Sequence, residues 1–124
     1  MVSNTDPERG QACALIALYL AEISTLFAAD SNPWGASEVR RLLDILNRGE
    51  ERRFLKELTS GEVWGHMGSV FDASLTNDTA DTRFMELQLL IANELESINF
   101  ASSDVRNHVE PFPGWLGRND APAD

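Results

Sequence analysis

The sequence predicts an all-α fold: a single-domain bundle of about four helices with a glycine-rich turn and an irregular C-terminal extension. Three observations predict it. Apolar residues recur at three- and four-residue steps in two long segments, as one face of a helix requires. Capping residues stand where those segments begin, and Thr59 to Leu75 breaks the period with three glycines. At 124 residues the chain is one domain's worth, with residues 6–100 expected as the helical core and 101–124 as an irregular tail.

The first helix is expected to start at Asp6, Pro7 and Glu8. An Asp there accepts backbone N–H bonds, Pro needs no donor, and an acid suits the positive helix end. It runs to about Ala29, with Ala12, Leu15, Ile16, Tyr19, Ile23, Leu26 and Phe27 on one face. Leu18 and Leu20 widen that stripe and predict more than one neighbour. Asn32 before Pro33 caps a second helix that turns Val39, Leu42, Leu43, Ile45 and Leu46 inward and closes at Gly49. Glu50 to Leu58 forms a short third helix burying Phe54, Leu55 and Leu58, and its charges read as a solvated face. The last long helix starts near Asn77 or Asp78 and extends to about Phe100, with Phe84, Leu87, Ile91, Leu95 and Ile98 inward. Past Phe100 the chain is small and polar and then reads EPFPGWLG, where Pro111 and Pro113 exclude a regular helix.

Composition narrows the class of function. Hydrophobic residues make up 43% and charged residues 24%, a globular mix. The single cysteine, Cys13, excludes an internal disulfide and reads as a small core filler. The first ten residues lack the basic start and apolar core of a secretory signal, and no apolar run is expected to reach the roughly 18 residues of a membrane span. The cytoplasm is the expected compartment. A net charge of −10 repels nucleic acid phosphates and anionic lipid, so neither nucleic acid nor membrane is an expected partner.

The negative charge is uneven along the chain. Residues 61–100 carry seven acids against Arg83 alone, whereas residues 37–60 are close to neutral. On a helix, Asp78, Asp81, Met85, Leu89, Ala92 and Glu96 share a side other than the main apolar face. Two readings stand. Met85 and Leu89 pack beneath Phe112 and Trp115 with the acids merely solubilising, or the side is a partner site whose apolar centre is buried and whose acidic rim steers a basic protein.

The densest motif is Trp64-Gly65-His66-Met67-Gly68-Ser69-Val70-Phe71-Asp72. Gly65 and Gly68 permit positive φ or close backbone approach, and Ser69 with Asp72 has the spacing of a capping box opening a helix at Val70. The motif lacks the lysine of a phosphate-binding P-loop and the spacing of a dinucleotide site. It resembles the Gly-x-Met-Gly-Ser-x-x-Asp signature of a family of small, mostly helical bacterial proteins, some of which resemble toxin immunity proteins. Gly65, Met67, Gly68, Ser69 and Asp72 carry the match and Trp34 resembles an upstream tryptophan. His66 stands in place of a usual second glycine and Phe71 in place of a usual asparagine. The resemblance spans about residues 33–98 and implies no catalytic residues.

Ser69, His66 and Asp72 nominally fill the posts of nucleophile, base and orienting acid, but Ser69 has an expected capping role and nothing marks an oxyanion hole. Two histidines without paired cysteines carry no metal-binding spacing, and no cofactor is expected. The expected function is therefore that of an immunity protein, not an enzyme. It binds and occludes a cognate bacterial toxin with a basic surface, using Trp64, Asp72, Asp78, Asp81, Met85, Leu89 and Glu96. The alternative is a non-toxin interaction adaptor or a small homo-oligomeric module.

Overall fold

The structure, a computed structural model, describes residues 5–65 and 67–117, with backbone alone at Thr5 and Asp6. The capping role expected of the Asp6 side chain therefore lies outside the described residues. Among the described residues six α-helices and one 3-10 turn follow in order, and the fold is all-α: α1 Thr5–Ala29, α2 Pro33–Asn47, α3 Glu51–Leu58, α4 Gly61–Trp64, the 3-10 turn Val70–Asp72, α5 Asp78–Ser97 and α6 Ser103–Val109.

Local chemistry sets the boundaries. Asn32 Oδ1 accepts the Gly35 N–H at 3.0 Å and Pro33 occupies the first turn of α2. Asn77 Oδ1 accepts the Ala80 N–H at 2.9 Å and starts α5 in the same way. Gly49 takes φ +84°, the left-handed conformation that lets the chain leave α2 and enter α3.

Helix α1 lies between α2 and α5 and runs antiparallel to α5: Asp30, just past α1, accepts the Thr76 N–H just before α5 at 2.9 Å, while Glu22, eight residues back, meets Arg83, seven residues on. Phe27 meets Phe84 edge-on with ring centroids 5.1 Å apart, and Arg83 Nε donates to Glu22 Oε2 at 2.7 Å. Arg9 Nε donates to Glu51 Oε1 at 2.6 Å and ties the other end of α1 to α3. The core contains Ile16, Leu20, Ile23 and Phe27 of α1, Val39, Leu42 and Ile45 of α2, Phe54, Leu55 and Leu58 of α3, and Phe84, Leu87, Ile91 and Leu95 of α5. From it a chain of edge-to-face aromatic contacts continues through Phe84–Phe71, Phe71–Trp64, Trp64–His108 and His108–Phe112.

Three expectations are corrected. Leu15, expected inward, is 39% exposed and Leu18 is 68% exposed, because α2 and α5 cover only the side of α1 that holds Ile16 and Leu20. The segment after Phe100 is not wholly irregular: Ser102 Oγ accepts the Val105 N–H and donates to the Thr59 carbonyl at 2.7 Å, opening α6, whose Val105 and Val109 are fully buried. The rest of the extension is docked on α5. Asn93 Nδ2 donates to the Gly114 carbonyl, Asn93 Oδ1 accepts the Leu116 N–H, and Trp115 is buried. Finally, the helix Pro7–Ala29 contains an 18-residue stretch of mean hydropathy 1.9, long and apolar enough to cross a membrane by length and composition, although no continuous apolar run announces it.

Candidate functional site

The glycine motif builds one wall of a polar cleft of about 290 Å³, lined by Trp64, Gly65, Met67, Asp72, Asp104, Asn107 and His108. The wall is anchored from beneath. Trp64 is buried, and its indole N–H donates to the Leu58 carbonyl at 2.7 Å, satisfying a group in the last turn of α3 that has no intrahelical donor. Gly65 is required by close approach: a Cβ there would lie 2.5 Å from Gly61 Cα and 3.0 Å from Asp104 Oδ1. Gly68 takes φ +88°, and its N–H donates to Asp72 Oδ2 at 3.1 Å, holding that carboxylate against the turn. Met67, 91% exposed, stands at the mouth.

The opposite wall comes from α6. Asp104, Asn107 and His108 fall at i, i+3 and i+4, so one helical face delivers all three side chains. His108 Nε2 lies 2.5 Å from Oε1 of the buried Gln88, so the Nε2–H tautomer donates to α5. Burial lowers the pKa of His108 below its ordinary value, an effect Asp72 opposes, and the imidazole is neutral at pH 7. The cleft therefore holds two carboxylates and a neutral ring, and among the described residues no lysine or arginine lines it. Its chemistry is that of a receptor for a cationic or hydrogen-bond-donating group.

The seven residues expected to contact a partner are divided by the fold. Trp64 and Asp72 line the cleft, Trp64 as a buried wall and not as a protruding anchor. The other five lie on α5 outside it. Asp81 Oδ1 accepts the Leu75 N–H at 2.9 Å, and Glu96 pairs with Arg106 at 3.2 Å, so both are engaged within the chain. Asp78 is exposed in the first turn of α5 and Met85 is 43% exposed. Leu89 is half-buried beneath the docked tail, with its Cδ2 3.1 Å from where a Cβ on Gly114 would stand.

The capping box expected at Ser69 is not formed. Ser69 makes no side-chain cap bond, and its buried Oγ lacks a hydrogen-bond partner among the described residues, while Asp72 turns to Gly68. At 3% exposure Ser69 is also inaccessible as a nucleophile, and the His66 that would complete the nominal triad lies outside the described residues. Among the described residues no three His, Cys, Asp or Glu side chains gather as a metal site. Cys13 is buried against α1's neighbours. Burial pushes its thiol up to about 11, with Glu51 adding to the shift and Arg9 opposing it, which suppresses the reactive thiolate.

No protein-family model, curated protein or solved structure matches the chain. The geometry of the cleft therefore carries the functional argument alone. Sequence reasoning missed Asp104, Asn107 and His108. The available signal was the Ser102 cap followed by three polar side chains at helical spacing.

Proposed function

We propose that this protein is an immunity protein that occludes a cognate bacterial toxin in the cytoplasm, and that the cleft between the glycine turn and α6 takes a lysine or arginine side chain from the toxin's basic face. In this reading the four longest helices are the scaffold and the glycine turn is the presented element. One observation supports it above the others: Asp72 and Asp104 line the same cleft as the Met67 thioether, and among the described residues no lysine or arginine lines it.

The mechanism needs no bond chemistry from this chain. A cationic side chain entering the cleft gains charge-assisted hydrogen bonds from two carboxylates, and Met67 covers its aliphatic stem. On the toxin, the same cation would otherwise hold a substrate phosphate, so its capture removes activity. The net charge of −10 adds long-range attraction for a basic partner and acts mainly on the association rate.

Co-expression with the product of the adjacent gene, followed by size exclusion at low salt, tests the reading. Co-elution is expected, with toxin activity suppressed in the complex. Asp72→Asn combined with Asp104→Asn should slow association by about tenfold or more, whereas Asp78→Asn should leave it nearly unchanged. Separate elution of every adjacent toxin candidate would overturn the proposal. Unchanged association in the double variant would remove the cleft from it.

A further inference from the structure

Helix α1 is apolar on nearly all sides, yet α2 and α5 cover only part of it. The outward side presents Gln11, Ala14, Leu15, Leu18, Ala21, Thr25 and Ala28, all exposed. Positions 11, 14, 18, 21, 25 and 28 alternate three- and four-residue steps, the spacing that keeps a seam facing a second helix. The antiparallel register fixed by Glu22 and Arg83 extends the patch onto α5. Seven residues before Glu22 is Leu15, and seven after Arg83 is Leu90, itself 36% exposed. The one ionisable group within the seam's flank, Glu22, is already paired with Arg83.

We propose that this face is covered by a second copy of the same chain, with the two α1 helices packed antiparallel about a two-fold axis at Leu18. Such an axis places residue i opposite residue 36 − i, so that Leu18 meets Leu18, Leu15 meets Ala21 and Gln11 meets Thr25. The charges decide between this arrangement and a generic apolar contact. Arg40 of α2 shares a small cavity wall with Ala28, and the register puts Glu8 of the second copy opposite Ala28. Glu8 and Arg40 are both exposed, and among the described residues neither has an ion-pair partner within its own chain. The two-fold supplies one to the other, twice.

The size also fits. Residues 8 to 28 span roughly 30 Å of a helix about 10 Å across, and with the Leu90 and Arg40 edges the total buried surface approaches the roughly 1,000 Å² of a specific, reversible dimer. This face is separate from the acidic cleft, so the dimer does not depend on the toxin-binding proposal. Failure of either leaves the other intact.

Sedimentation equilibrium of the full chain tests the inference. The expected result is a concentration-dependent rise from 13.8 kDa to twice that mass. Leu18→Glu should abolish the dimer without changing the helical circular dichroism, since Leu18 is 68% exposed in the protomer. Glu8→Arg and Arg40→Glu should each weaken association by about tenfold, because each change acts at two symmetric pairs, and the double exchange should restore it to within about threefold. A species that stays at 13.8 kDa up to about 100 μM, a dimer that survives Leu18→Glu, or a double exchange that fails to recover would each overturn it. So would a monomer that floats with phosphatidylcholine vesicles, which would make the face a lipid-binding surface.

Discussion

His108 on α6 and Gln88 on α5 share a hydrogen bond of 2.5 Å, and through it the only described histidine is tied to a buried amide. His108 is also a link in the aromatic chain that runs from Phe27 to Phe112, and it lines the acidic cleft, so the imidazole joins the core to that cleft. Among the described residues Gln88 is one of two buried polar side chains, and His108 supplies its partner. The docking of α6 therefore depends on an ionisable group whose pKa burial lowers.

A pH dependence follows. Burial lowers the native pKa of His108 below the ordinary 6.5, so the unfolded chain takes up the proton more readily. The stabilisation is complete above about 6.5 and is lost as pH falls through the lowered native value. Glu22, held low by its hydrogen bond to Arg83, and Glu57, held low by Arg41 and Arg53, add their losses only below their ordinary 4.5. Thermal unfolding should thus show a falling Tm between about pH 6.5 and 5 in the wild type. In His108→Phe, which retains an aromatic ring but cannot titrate, that decline should vanish even though the baseline Tm is lower. An equal slope in both proteins would assign the decline to other groups.

The indole of Trp64 is the second joint. Trp64→Phe keeps a ring against Phe71 but removes the donor to the Leu58 carbonyl, leaving a buried acceptor unsatisfied. The expected loss is about 1–3 kcal/mol in urea unfolding, added to the smaller packing loss of the narrower ring. A change near zero would mean that water replaces the indole at that carbonyl.

The helices that carry the core were legible because their own periodicity specifies them. Asn32 and Asn77 cap as their positions predict, and Phe84, Leu87, Ile91 and Leu95 are buried as their spacing requires. What escaped is set by contacts distant in sequence. Seven residues with two valines give α6 too little period to detect, and its start depends on Ser102 reaching Thr59. Leu15 obeys the helical period but loses its cover because no element crosses that side of α1. The cleft was half legible: the glycine motif marked one wall, while Asp104 and His108 reached it only through α6. Periodicity along α5 also could not reveal that Asp81 accepts the Leu75 N–H and that Glu96 pairs with Arg106.

Three glycines separate propensity from packing. Gly10 lies within α1 with no atom within 4 Å of an added Cβ, so Gly10→Ala should stabilise by about 0.4–1 kcal/mol. Gly49 has equally open space but φ +84°, and Gly49→Ala should cost about 1–2 kcal/mol from backbone strain. Gly35 is helical, so propensity favours alanine, yet the new Cβ would lie 2.8 Å from Phe27 Cδ2 and 2.8 Å from Asn32 Nδ2. Because Phe27 is fully buried, Gly35→Ala should destabilise by about 1–3 kcal/mol. Equilibrium urea unfolding of the three variants checks the order, and a stabilised Gly35→Ala would show that Phe27 can yield.

Cys13 gives a pH response of the opposite sign. Its native pKa is pushed up to about 11 from 9.0 because burial penalises the thiolate, so the unfolded thiol loses its proton first. The stabilisation is complete below about 9 and is lost as pH rises through the native value. Two measurements check this. At pH 8 iodoacetamide should label Cys13 in the native protein at least about a hundredfold more slowly than in urea, as burial and the raised pKa both require. Between about pH 9 and 11, wild-type stability should also fall more steeply than that of Cys13→Ala, which lacks the thiol. Native labelling as fast as in urea would mean that the first turns of α1 open readily, and the buried position of the thiol would then not describe the protein in solution.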